Sequence, residues 1–284
     1  TCALPISPDH VLAITFTRQA ATEMRTRLRR FGIDGSPQIH TFHALGLRLL
    51  TQRAADTNKP KPLVVTNRMA VLSGVLGADA KQSSLSGIAN AIDHAAVRML
   101  SGRDLDSALS ASGIQREVTR EQFERIIARY EDAKRKRGVV DTTDLIAHVV
   151  RDAKRDPRFV HSMRHQFRHI SVDEAQDMNP LQYEFLRLLV TDSPDLFVVG
   201  DPNQAIFGFN GADNRLFEEL PGLGAGARVV TLPSNYRCTP QVVDAASRFL
   251  RNGGQAIEAE SRRDRKSTRL NSSHVKRSRM PSSA

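Results

Sequence analysis

Four short apolar runs, each closing on polar residues, constrain this chain more than any other feature. HVLAITFT (10–17), HISVDEA (169–175) and DLFVVGD (195–201) read as strands, and ARVVTLPSNYR (227–237) contains another. Helical segments follow them. RQAATEMRTRLRRF (18–31) is Ala- and Arg-rich and is ended by Gly32, Gly35 and Pro37; others are expected at 40–52, 143–154, 180–190, 213–219 and 240–251. Asp141 and Thr142 offer an N-cap for the segment at 143–154. From about 53 to 140 strand signals nearly vanish, and helical stretches recur at 66–76, 85–100, 104–111 and 119–137. Strand–helix alternation around an all-helical middle predicts an α/β domain with a helical insertion.

Composition narrows the setting. The chain has 284 residues, 40% hydrophobic and 25% charged, as in a globular protein. No apolar run approaches the roughly 20 residues of a membrane span. Cys2 and Cys238 cannot build a disulfide framework, so a reducing compartment is expected. The net charge of +10 suits a polyanionic partner. Residues 264–284 carry six basic residues less one acid, and so contribute +5 of that charge. This segment has no hydrophobic period and resembles the translation of a short-read sequencing adapter, and residues 1–7 resemble the opposite adapter. Both ends are therefore expected to be foreign scars on a fragment, the alternative being a natural basic tail.

The strand ends carry the chemistry. Ile170, Ser171 and Val172 run into Asp173 and Glu174, the arrangement by which nucleotide hydrolases place a magnesium ligand and a base at the carboxyl edge of a parallel sheet. An ordinary acidic strand end is the competing reading of that motif alone. Gly200, Asp201 and Gln204 follow the next strand, Tyr236 and Arg237 the last, and threonines the first. His161 and His165, four apart, have no obvious third metal ligand. Lys134–Arg137 (KRKR) reads as a solvated helix terminus favoured by the helix dipole.

Six segments, in order, resemble the UvrD/Rep-type superfamily 1 DNA helicases: TFTRQAATEMRTRL (15–28), IHTFHALGLRLL (39–50), DTTDLI (141–146), ISVDEAQDMNPLQYEFLRLL (170–189), VVGDPNQAIFGFNGAD (198–213) and NYR (235–237). The resemblance implies a RecA-like P-loop NTPase motor domain (8–52 plus 141–225), an inserted helical subdomain (53–140) and the start of a second RecA-like domain (226–263). It implies that Asp173 holds Mg²⁺, Glu174 is the catalytic base, Gln204 senses the γ-phosphate, Arg237 acts as an arginine finger and Tyr236 stacks on adenine. It further implies that Phe16, Thr41, Phe42, His43, Phe207 and Phe209 contact DNA, with phosphate contacts open to Arg18, Arg25 and Arg27. ATP and Mg²⁺ are the expected substrate and cofactor, and single-stranded and partly duplex DNA the expected partner. The expected setting is the cytoplasm, at the nucleoid.

The chain departs from the family pattern in places. Phe209 stands where many relatives have Trp, Asn210 where many have Arg, and Cys238 where Ser is usual. The acidic motif reads DEAQD where DEFQD is commoner, and DTTDLI lacks the usual aromatic. No G-x-x-x-x-G-K-[ST] loop occurs, so nothing in the chain would cradle the β- and γ-phosphates. The expected activity, ATP-driven 3′ to 5′ unwinding, is thus assigned to a longer parent, and the chain alone is expected to be inactive. A helicase subunit of a helicase–nuclease complex, a catalytically silent single-strand-binding module and an unrelated P-loop switch remain as alternatives.

Overall fold

The computed structural model describes residues 6–32, 37–65, 67–76, 82–190, 195–206, 208, 211–223, 226–252 and 259–263. They fall into two compact units, Thr1–Ala227 and Arg228–Ala284. In the first, β1 (Val11–Thr15), β2 (Gln38–Thr41), β5 (His169–Val172) and β6 (Asp195–Val198) form a parallel sheet in the order β2-β1-β5-β6. Register is level across it: Thr15 pairs with Thr41, Ile14 with Val172, and Val172 with Val198. The carboxyl ends of the strands therefore align along one edge.

Helices cover both faces, as a parallel sheet requires. Leu12 and Ile14, fully buried on one face, pack with α2 (Phe42–Asp56), α7 (Asp144–Arg155) and α9 (Pro180–Leu189). The sequence dictates that contact. On α7, Leu145, Ile146, Val149, Val150 and Ala153 recur with helical period and are all buried. On α9, Asn179 and Gln182 close a reciprocal capping box, Pro180 sits in the first turn, and Leu181, Phe185, Leu186 and Leu189 are buried. On the opposite face, Ala13 and Ile39 meet Ala21, Met24 and Leu28 of α1 (Arg18–Arg30), which Thr17 caps by accepting the Ala20 amide at 3.1 Å.

The middle of the chain builds a second core. Here α3 (Arg68–Leu76), α4 (Gln82–Val97), α5 (Leu105–Ala111) and α6 (Arg120–Arg137) enclose Leu72, Ala91, Ala108, Phe123 and Tyr130. Thr119 and Gln122 form a capping box at the start of α6, and Gly138 ends it in the left-handed conformation. A two-residue parallel ladder joins β3 (Leu63–Val64) to β4 (Val139–Val140). No helix among the described residues is long and apolar enough to cross a membrane.

Three expectations need correction. The helix expected over 40–52 begins only at Phe42, because Gln38–Thr41 pairs with β1 and Thr41 then caps α2 through the Ala44 amide at 3.3 Å. The strand expected within 227–237 is confined to β7 (Ser234–Asn235), the part that finds a ladder, with β8 (Glu260–Ser261). Val229, Val230 and Leu232 stay exposed. In this smaller unit α10 has already ended and α11 (Pro240–Asn252) follows; α8 (Pro157–Gln166) and α10 (Arg215–Glu219) belong to the larger one.

The third correction concerns Lys134, expected at a solvated terminus. Arg135 and Lys136 are exposed, but Lys134 is 3% exposed. Its Nζ lies 2.6 Å from Asp144, 3.1 Å from Asp141 and 2.7 Å from Glu131, and 4.7 Å from the Tyr130 ring centroid. The Tyr130 hydroxyl donates to Asp141 at 3.1 Å. Asp141 and Asp144 also accept each other's backbone amides, at 2.8 and 2.9 Å, while the N-cap position of α7 falls to Thr143, whose side chain makes no cap bond. Burial opposes the charge on Lys134, but the two aspartates outweigh it and hold its pKa above the ordinary value. Burial likewise opposes ionisation of Asp141; Lys134 outweighs it and holds the carboxyl below 3.8. Burial and the Asp141 charge push the Tyr130 hydroxyl up to about 12.

Lys134→Met should leave two buried carboxylates uncompensated and cost about 3–5 kcal/mol in urea unfolding, while Lys136→Ala should stay within about 0.5 kcal/mol. Since the folded Asp141 value is depressed, its contribution is present above 3.8 and fades as pH falls through the folded value. The gap between wild type and Lys134→Met should narrow in acid, and a pH-independent gap would contradict the ion-pair account.

Candidate active site and nucleic-acid cleft

The level carboxyl edge opens into a cleft of about 1060 Å³. Thr15, Phe16 and Thr17 enter it from the end of β1, and Thr41, Phe42 and His43 from the end of β2. Asp173, Glu174, Gln176 and Asp177 follow β5, and Gln204, Ile206 and Gly211 follow β6. The helical insertion closes one side with Asn90, Asp93, His94 and Val97 of α4, and Thr142 and Thr143 lie beside them.

The acidic end is built with care for one carboxylate. Glu174 sits at φ +54°, a left-handed conformation that costs a non-glycine residue about 1–2 kcal/mol. Its Oε2 accepts from Gln176 Nε2 at 2.8 Å, which leaves Oε1 to the cleft. Gln176 is itself 2% exposed, and its Oε1 accepts the Asp201 amide at 3.0 Å. One side-chain amide thus ties the end of β5 to the loop after β6. Gly200 is needed at this crossing, since a Cβ there would lie 2.7 Å from Gln176 Oε1 and 2.6 Å from the Phe217 ring. On the same loop Gln204 donates to Asp201 at 2.8 Å.

Asp173 lies next to Glu174, and its amide is held by the Ile14 carbonyl at 2.9 Å. Burial, then the Glu174 charge, pushes both Asp173 and Asp177 above the usual aspartate value. Among the described residues no Lys or Arg forms an ion pair with Asp173, Glu174 or Asp177, and Asp177 Oδ1 is buried without a hydrogen-bond partner. This excess of hard oxygen donors fits a divalent cation such as Mg²⁺. No group of three His, Cys, Asp or Glu side chains closes into a complete cage among the described residues. Such a cation would therefore rest on Asp173 and complete its shell from water or phosphate oxygens.

The β2 side of the cleft is uncharged. His43 lines the cleft, where desolvation by the surrounding groups lowers its pKa from the ordinary value. Phe16 is half-buried and meets Phe42 edge-on, with centroids 5.5 Å apart. Phe42 borders the cleft but is 1% exposed, and its ring packs on Phe185 at 6.3 Å. Of the three arginines open to phosphate, Arg25 donates to the Ile39 carbonyl and Arg27 pairs with Glu23, while Arg18 is exposed at the start of α1. Phe207, Phe209 and Asn210 lie outside the described residues. In the smaller unit Tyr236 is 75% exposed, and the Arg237 amide is held by Asn235 Oδ1 at 3.0 Å. The Cys238 thiol is free and half-buried.

Sequence reasoning missed Gln176 as the strut between two strand ends, and missed the α4 wall altogether. The Asn90, Asp93, His94 and Val97 spacing was readable as one helical face; what that face meets was not, because the meeting is tertiary. The wall is fixed in two places. Arg98 pairs with Asp213 at 3.7 Å, and Val97 packs so tightly on Gly211 that a Cβ there would lie 2.6 Å from Val97 Cγ2.

A parallel α/β domain with an acidic strand end at the mouth of such a cleft is a domain of the RecA-like kind. The chain belongs to the UvrD/REP helicase N-terminal domain family, whose profile matches residues 3–222. It is 32% identical over 262 residues to the ATP-dependent DNA helicase UvrD2 of Mycobacterium tuberculosis H37Rv, covering 86% of this chain and 37% of that protein. It is 28% identical over 256 residues to DNA helicase II of Escherichia coli K12 (87% and 34%). It is 29% identical over 268 residues to the ATP-dependent DNA helicase PcrA of Staphylococcus aureus Mu50 (88% and 34%). The chain thus spans about a third of the length of these relatives.

Gly211 has φ +87° as well as the close contact. Gly211→Ala should destabilise by about 2–4 kcal/mol, from left-handed strain and overpacking together. Adding Val97→Ala should recover the packing share and leave about 1–2 kcal/mol. Full recovery, or none, in a double-mutant cycle would show that one of the two causes is absent.

Proposed function

We propose that this chain is the first motor portion of an ATP-driven translocase that moves along single-stranded DNA and unwinds partly duplex DNA. The polarity is 3′ to 5′ by family resemblance, and the setting is the cytoplasm, at the nucleoid. The observation that carries this reading is the shared cleft: the Asp173–Glu174 pair and the uncharged Phe16, Thr41 and His43 group line one cavity. A nucleotide-driven change at one group is then felt at the other. In this reading residues 8–52 and 141–225 form the first motor domain, 53–140 its helical subdomain and 226–263 the start of the second.

Glu174 orients the attacking water and accepts its proton at Oε1, the oxygen that Gln176 leaves open. Asp173 holds Mg²⁺, which when bound offsets the charge of the β- and γ-phosphates. Gln204, held by Asp201, registers the γ-phosphate and passes its loss to the loop ending at Gly211. Arg237 acts as the arginine finger and Tyr236 stacks on adenine. Phe16, Phe207 and Phe209 stack on bases, a contact worth about 1–3 kcal/mol each and tolerant of sequence.

The test is a chimaera in which the phosphate-binding segment of one relative precedes Pro8 and that relative's second motor domain follows Arg263. Its ATP turnover should rise on adding oligothymidylate. Glu174→Gln should lower turnover by about 100-fold or more with ATP and DNA binding retained; near-normal turnover would remove Glu174 from the role of base.

A further inference from the structure

The outer edge of β2 lies beyond the cleft, and each helix that flanks it turns a cation toward it. β2 ends the sheet on one side, with α1 on one face and α2 on the other. From α1, Arg25 donates to the Ile39 carbonyl, so a main-chain acceptor of this edge strand is already taken. From α2, Arg48 Nη1 lies 3.5 Å from His40 Nε2, which is also 3.2 Å from Gln38 Oε1. The ring nitrogen can serve only one of the two. Burial lowers the His40 pKa, and the charges of Arg48 and then Arg25 lower it further, so two guanidinium groups are felt at one ring. All three side chains are half-buried, and none of them lines the cleft.

No carboxylate pairs with Arg25 or Arg48 among the described residues. β1 and β2 carry no acid. Glu23, the one acid of α1, pairs with Arg27; Asp56, the one acid of α2, lies roughly 12 Å along the helix from Arg48. Like charges held together and partly stripped of water are costly unless an anion answers them. Donors that reach one sheet edge from both faces suit a tetrahedral oxyanion, whose oxygens point several ways, better than a planar carboxylate. A polypeptide strand fits less well, since Arg25 already occupies part of the edge.

We propose that Arg25, His40 and Arg48 form an oxyanion site at the outer edge of β2 that takes a phosphate group, either free in solution or as a phosphodiester of nucleic acid. Binding of free phosphate there does not depend on the strand-path reading above.

The experiment follows the His40 imidazole of the full 284-residue chain by NMR as inorganic phosphate is added at constant ionic strength, with chloride as the control. His40 should shift along a saturating curve in phosphate and stay in place in chloride. Arg48→Gln and Arg25→Gln should each weaken the phosphate Kd about tenfold or more, as loss of a hydrogen bond to a charged group implies. Arg48→Lys, which keeps the charge, should lose less, and Arg27→Gln, whose guanidinium pairs with Glu23, should change nothing. If Arg25→Gln lowers the melting temperature, the Arg48 pair of variants carries the comparison. A salt series of oligothymidylate binding, read by fluorescence anisotropy, separates the two sources. A phosphodiester in the site predicts that Arg48→Gln lowers the slope by about 0.7. A slope that stays unchanged while phosphate still shifts His40 assigns the site to a free phosphate. If phosphate leaves His40 in place and the slope is unchanged, or if His40 shifts equally in wild type and the Arg48→Gln variant, the site is overturned. If the chain binds no oligothymidylate, the strand-path reading falls and the phosphate titration alone decides the site.

Discussion

The level parallel ladder between β1, β2 and β5 is the constraint on which the rest depends. Parallel strands that end in register must deliver their next residues to one edge. Thr15 pairs with Thr41, and the Asp173 amide is bound to the carbonyl of Ile14. The polar ends are 26 to 158 residues apart in sequence, yet the ladder makes them neighbours. A shift of one residue in β1 would send Leu12 and Ile14 to the α1 face and Ala13 to the larger core, so burial holds the register. The position of the acids relative to the threonines is thus a by-product of packing the sheet.

The helical insertion is held to this edge by charge as well as by shape. Lys134, from α6, is enclosed with Asp141 and Asp144 at the start of α7, which lies on the sheet. Removing one partner leaves the others buried and unpaired, so the joint resists partial opening. At the far side Arg98 and Val97 dock α4 on the loop after β6. Gln204 follows the same strand, β6.

Much of this was legible in the sequence because it is local. The β1, β5 and β6 runs and the acidic strand end all announce themselves by spacing. β2 was hidden, since QIHT is only four residues and runs directly into an apolar helix. Lys134 was misread because its neighbours Arg135 and Lys136 are exposed, and only the arrival of α7 buries it. Phe42 carried two readings, core and DNA, and the structure shows it buried at the border of the cleft. The part played by Gln176 was not legible, because its partner Asp201 lies on a different strand end.

The account stands or falls on whether a single DNA strand occupies the cleft at the carboxyl edge. Imidazole resonances of the chain, followed by NMR as oligothymidylate is added, test this directly. His43 lies in the cleft, while His161 and His165 are exposed on α8, where His165 meets His10 at the opposite end of β1. The account predicts that His43 shifts or broadens with the titration while His161 and His165 stay in place. A strand that moves the α8 histidines and leaves His43 unchanged would contradict it.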